Sequence, residues 1–102
     1  MRADRSSVTR FEQIPNVGRA TAGDFETLGL SSPAALVGMD PLALYDRLCH
    51  VTGQRHDPCC IDVFIAAVRY MEGGPSTPWW HYTAERKAQV AARAAHRGRA
   101  TE

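Results

Sequence analysis

The sequence predicts an all-α fold, a compact single domain of five to six short helices, and three observations carry that expectation. Apolar residues recur three and four positions apart along most of the chain, and they do not alternate with period two over any useful length. The pairs Ser32-Pro33, Asp40-Pro41 and Asp57-Pro58 each join an N-cap residue to a first-turn proline, while Gly29, Gly38, Gly53 and Gly73-Gly74 stand where helices should stop. With 102 residues, 44% apolar and 23% charged, the chain has the size of one domain and the composition of a globular one.

Taken in order, residues 1–6 read as a flexible polar tail, and Ser7 caps a first helix to Gln13 with Val8, Phe11 and Ile14 on one face. Ile14 to Ala22 form a sharp connector. Pro15 fixes its own φ and discourages helix in Ile14, and Asn16 and Gly18 are residue types that adopt left-handed or irregular backbone easily. A second helix from Arg19 to Leu28 buries Ala22, Phe25 and Leu28, and together these pieces read as a helix-hairpin-helix unit.

A short helix from Ser32-Pro33 to Val37 follows, then a helix from Asp40-Pro41 to near Gly53 with Leu42, Tyr45, Leu48 and Cys49 as its inner stripe. The stretch from Pro58 to Glu72 is the most apolar in the chain; Ile61, Phe64, Ile65, Val68 and Met71 mark it as the central helix. After the loop Gly73 to Pro78, Trp79-Trp80-His81-Tyr82 reads as an aromatic lid over the core. The helix-hairpin-helix domain with its lid is therefore expected over residues 7–83. Thr83 then caps a basic, Ala-rich helix in residues 84–102, anchored only by Val90, Ala91 and Ala94 and frayed beyond Ala95.

The formal net charge of +1 hides an asymmetry. Residues 1–83 carry seven Arg against nine Asp and Glu, whereas residues 84–102 carry five Arg and Lys against two Glu. No run is long enough to cross a bilayer and the N-terminal segment has no apolar signal-peptide core, so no membrane association and a cytoplasmic location are expected. Three cysteines, Cys49, Cys59 and Cys60, make an odd number, and reduced thiols are the default.

The connector carries the sharpest functional clue. The first N–H groups of a helix starting at Arg19 lack intrahelical partners and can face an anion. The phosphate-binding candidates are Asn16, Val17, Gly18, Arg19, Ala20 and Thr21, with Arg47, Arg55, Arg86, Lys87 and Arg93 as supplementary basic residues. The segment Val51 to Arg55 can be read as a degenerate second hairpin.

Pro15-Asn16-Val17-Gly18-Arg19-Ala20-Thr21-Ala22 resembles the helix-hairpin-helix pattern of proline, glycine, apolar residue, glycine, three variable residues, then alanine. With Arg55-His56-Asp57-Pro58-Cys59 ahead of a core helix, and Glu72-Gly73-Gly74-Pro75 leading to Pro78-Trp79-Trp80, residues 10–88 resemble small bacterial proteins labelled pathogenicity-locus or mitomycin-resistance proteins. That resemblance implies a SAM-like helical domain akin to the helix-hairpin-helix domain of competence-regulator C-termini. It further implies that the amides of Gly18, Arg19 and Ala20 hold a phosphate oxygen, with Thr21 and the Arg19 side chain as further donors. Asn16 departs from the pattern by standing where the first motif glycine usually sits.

The leading expectation is thus a non-enzymatic, sequence-independent DNA-binding or DNA-metabolism accessory protein, and the alternative is a protein-interaction or adaptor domain, or a homodimer, with a purely structural hairpin. Asp24 and Glu26 lie just downstream and oppose phosphate binding. No catalytic constellation and no cofactor motif is present in the sequence. Cys49, His50, His56, Asp57, Cys59 and Cys60 are residue types that zinc prefers, but adjacent cysteines without a C-x-x-C pair fit a metal poorly, and none is expected. A low-pKa thiol at Cys59 or Cys60, lowered by the helix dipole, is the redox alternative. Trp79, Trp80 and Tyr82 read as the lid, with base stacking as the other use of such aromatics.

Overall fold

The computed structural model describes residues 3–100. Its order is a 3-10 turn at Phe11–Gln13, α1 (Arg19–Thr27), a 3-10 turn at Pro33–Leu36, α2 (Pro41–Thr52), α3 (Cys59–Met71), a 3-10 turn at Trp79–Tyr82, and α4 (Thr83–Ala100). Among the described residues there are four α-helices and no strand; the expected count of five to six helices is not met, since the three 3-10 turns bring the total to seven elements.

The elements end where the residue types require. Gly29, Gly38, Gly53 and Gly73 all take positive φ, which an L side chain adopts only with strain, and each follows a helix or turn. Asp40 accepts the Leu42 amide at 3.0 Å and caps α2, with Pro41 in its first turn. The core is built on α3, which buries Ile61, Phe64, Ile65, Ala66, Ala67, Val68 and Met71 and packs against α2, α4 and the turns at residues 33–36 and 79–82. Phe25 bridges Phe11 and Phe64 at ring-centroid distances of 5.1 and 5.2 Å, tying α1 to α3.

Three expectations change. The first helix over Ser7–Gln13 reduces to the single turn Phe11–Gln13, because the Gln13 side chain accepts the Thr9 and Arg10 amides, each at 2.8 Å, and folds the segment back on itself. Residues 3–5 are bonded to the end of α3 rather than standing clear of it: the Ala3 amide donates to the Gly73 carbonyl, the Arg5 guanidinium donates to the Tyr70 and Gly74 carbonyls, and it lies 3.7 Å over the Tyr70 ring. The backbone of α4 remains helical to Ala100, past the point where fraying is expected; Met1, Arg2, Thr101 and Glu102 lie outside the described residues.

Val90 packs α4 against the core, and polar contacts add to it. Asp62, in the first turn of apolar α3, is fully buried; it accepts the Thr83 hydroxyl at 2.6 Å and the Arg86 Nε at 2.8 Å. Thr83 is therefore bound to α3 rather than capping α4. Arg93 adds a forked contact to Asp46 of α2 at 2.6 and 3.3 Å, and Arg69 pairs with Glu85. Removing one partner of a buried pair leaves an uncompensated charge, which makes Asp62 the polar residue the fold depends on most.

Candidate nucleic-acid interface

The connector is a type II β-turn. Ile14 is extended, as a residue before proline should be, and the Val17 amide donates to its carbonyl at 3.1 Å. Proline at the second position and a residue of positive φ at the third define the turn type, and Asn16 has φ 73°. Ile14 and Val17, both buried, pin the two ends of the turn to the core.

Gly18 then acts as the N-cap of α1 with φ −95° and ψ −168°, extended backbone that any residue adopts. Of the two residues expected to be irregular, only Asn16 is left-handed. Nothing lies within 4 Å of where a Cβ on Gly18 would stand. Neither conformation nor packing therefore calls for glycine at this position. The helix bond from Ala22 to the Gly18 carbonyl is made at 2.9 Å, but the amides of Gly18, Arg19, Ala20 and Thr21 find no acceptor among the described residues. Gly18, Arg19 and Ala20 are exposed.

Asn16 does more than bend the chain. Its Nδ2 donates to the Thr77 carbonyl at 2.7 Å, and its Oδ1 accepts the Trp79 amide at 3.2 Å. A glycine would keep the positive φ and lose both bonds. The turn is thereby stapled to the loop that carries the tryptophans, a pairing across more than sixty residues that local pattern does not reveal. Within that loop Tyr82 is buried and bonded to the Thr77 hydroxyl at 2.9 Å, whereas Trp80 is 64% exposed. The expected lid is formed by Tyr82, with Trp79 half-buried and Trp80 outside it.

The supplementary basic residues divide. Arg86 and Arg93 are engaged by Asp62 and Asp46, so two of the five candidates are occupied by the fold. Arg47, Arg55 and Lys87 are exposed; burial raises the pKa of Tyr45, and nearby Arg55 offsets that rise only in part. Asp24, expected to repel phosphate at the start of α1, faces the α2–α3 connection: burial raises its pKa and the neighbouring His56 partly offsets this. Glu26 remains exposed.

The stretch Val51 to Arg55 is a helix end rather than a second hairpin. Gly53 takes φ 68°, its amide donates to the His50 carbonyl, and the Gln54 amide reaches back to the Cys49 carbonyl, a Schellman-type closure. Asp57 then accepts the Cys59 amide at 2.9 Å. Around this connection Thr52 and His56 share a 2.8 Å bond, the Tyr45 hydroxyl donates to the His56 carbonyl, and the His56 amide points at the Cys49 sulfur.

Among the described residues no group of three or more His, Cys, Asp and Glu is placed to hold a metal ion. Cys59 is raised by its hydrogen bond to Asp57, and Cys60 by burial and then by Asp24 and Asp57, the opposite direction from the lowered thiol pKa expected at a helix start. No described helix is long and apolar enough to cross a membrane.

The fold and this turn define a small all-helical protein organised on one buried helix, with an uncapped helix start whose turn is bonded to the tryptophan-bearing loop. The chain belongs to the pathogenicity locus family, whose model matches residues 4–88. It is similar to the mitomycin resistance protein McrB of Streptomyces lavendulae, 47% identical over 78 residues that make up 76% of this chain and 74% of that protein. No solved structure matches.

Proposed function

We propose that this chain is a non-enzymatic, sequence-independent DNA-binding or DNA-metabolism accessory module that holds a phosphate of the backbone through a helix-hairpin-helix connector. One observation carries the reading: α1 starts with free amides at Gly18 to Thr21 and with a glycine that the fold itself does not require. An N-terminus of this kind concentrates partial positive charge on a small exposed surface, and a missing Cβ lets a phosphate oxygen approach the backbone. Arg19 supplies the nearest full charge. Contacts of this type position a nucleic acid without reading its bases.

A single site is weak. Affinity grows with the number of phosphates neutralised, and non-specific binding at physiological salt falls at about 10⁻⁴ to 10⁻⁶ M. Arg47, Arg55 and Lys87 are the exposed candidates to extend it. The test is fluorescence anisotropy with labelled DNA across salt concentrations, comparing the native chain with Gly18→Val. Open space around Gly18 means that the variant should fold normally by circular dichroism. Binding that weakens with salt and drops in the variant supports the proposal; no binding at low salt rejects it.

The adaptor reading draws on a different region. An open groove of about 440 Å³ lies between α3, α4 and the start of α2, bordered by Met39, Leu42, Val68 and the Arg69–Glu85 pair. Val37 and Met39 are exposed beside it. DNA binding unaffected by Gly18→Val, or absent altogether, shifts weight to this surface.

A further inference from the structure

The loop of residues 77–82 adds a second feature beside the α1 start that phosphate holding does not use. Trp80 is the large apolar side chain of that segment left in solvent, at 64% exposure against 7% for Tyr82 two residues later. Trp79 and Trp80 meet edge to face, with ring centroids 5.7 Å apart and planes at 82°, an arrangement in which Trp79 leaves at least one face of the Trp80 indole uncovered. The loop is also held in place. Asn16 bonds the Thr77 carbonyl and the Trp79 amide, and Thr77 bonds Tyr82, so the backbone carrying Trp80 is fastened to the hairpin on one side and to the core on the other.

We infer that Trp80 is a stacking platform for an unpaired DNA base, and that the DNA taken at this site is single-stranded or frayed where it crosses the hairpin. This rests on the phosphate reading of the α1 start and names its substrate class. Bond lengths along the path from Gly18 through Asn16 to Trp80 limit their backbones to roughly 18 Å apart. At about 3.4 Å per stacked nucleotide that is a span of roughly five nucleotides, so one strand reaches both features. Within a duplex each base is covered on both faces by its neighbours, and only an unpaired base offers a free π-face to an indole. A lone exposed ring also suits a flat partner better than it suits a protein, whose hot spots lie within a contiguous dry interface.

The experiment titrates the full chain with oligo(dT) and with a blunt duplex of equal length, following both DNA anisotropy and tryptophan fluorescence at fixed salt. The native chain should prefer the single strand and show quenching. Trp80→Ala should weaken single-strand binding about 5- to 100-fold while leaving duplex binding and the salt dependence unchanged, and Trp80→Phe should recover most of the loss. Asn16→Gly keeps the turn but removes the staple, and should reduce the preference for single strand without abolishing binding. If Trp80→Ala binds both DNAs as the native chain does while Gly18→Val is impaired, the stacking inference fails and the phosphate reading stands. If neither DNA binds the native chain at low salt, both fall.

Discussion

At the start of α3 the Asp57 carboxylate accepts the Cys59 amide, whereas at the start of α1 Gly18 offers no side chain and the amides from Gly18 to Thr21 stay without an internal acceptor. Both helices follow a proline-containing turn and both pack into the same core, so the difference is one of chemistry at the cap rather than of architecture. The Asp57 carboxylate occupies the α3 start and raises the pKa of the Cys59 thiol. The α1 start carries no such carboxylate. The start of α4 is a third case, with Thr83 and Arg86 both turned inward onto Asp62.

Breaking the inward case should have the largest effect. Arg86→Ala leaves the fully buried Asp62 carboxylate without its cation, and a loss of about 3–5 kcal/mol is expected, read as a lowered urea midpoint. Converting one helix start into the other comes next. Gly18→Asp gives α1 the cap of α3; it should raise stability by a few tenths of a kcal/mol, because glycine is already a tolerable N-cap. The same change should weaken DNA binding by about tenfold or more, roughly 1.4 kcal/mol, since a fixed carboxylate then occupies the phosphate position. Stability and binding moving in opposite directions is the signature to look for, and a parallel fall in both would break the comparison.

Titration sharpens it further. Asp57 has its pKa lowered first by the Cys59 backbone bond, so its folded value lies below its unfolded one. Its contribution is present above the ordinary carboxylate range and is lost as pH falls through the lowered value. Asp24 runs the other way, because burial raises its folded pKa; the charged form costs stability at neutral pH, and that cost disappears on mild acidification. Urea midpoints measured against pH should therefore respond less in the mildly acidic range for Asp24→Asn, and less below the ordinary carboxylate range for Asp57→Asn. The smallest effect is chemical. Cys59 should react slowly with iodoacetamide near neutral pH and faster in Asp57→Asn, which removes the group that raises its thiol.

The helices that carry the core were legible because their punctuation is local. Prolines after Asp40 and Ser32, and glycines at residues 29, 38, 53 and 73, act through φ restrictions that need no tertiary partner. The stretch ahead of Phe11 has helical spacing too, yet one Gln13 side chain competes for its amides and turns it back. For the candidate site the turn itself was legible from Pro15 and Asn16, but its surroundings were not. Arg86 and Arg93 look free in a basic tail, and their acceptors lie 24 and 47 residues away. One signal was available: Asp62 is a lone acid inside an otherwise apolar helix, and a buried carboxylate demands a cationic or hydrogen-bonding partner from elsewhere in the chain. Asn16 offered no such sign, because its identity already satisfies the turn.

The Asn16 side chain also bears on how separable the hairpin is. Its two bonds close a circuit from the first fifth of the chain to the last quarter, so the conformation of residues 14–22 is completed by residues 77–79 rather than by its own flanks. A peptide covering only the hairpin, or a graft of it onto another scaffold, would carry the residues but not the shape. The turn ahead of α1 is assembled by folding, and its shape is inherited only with the whole domain.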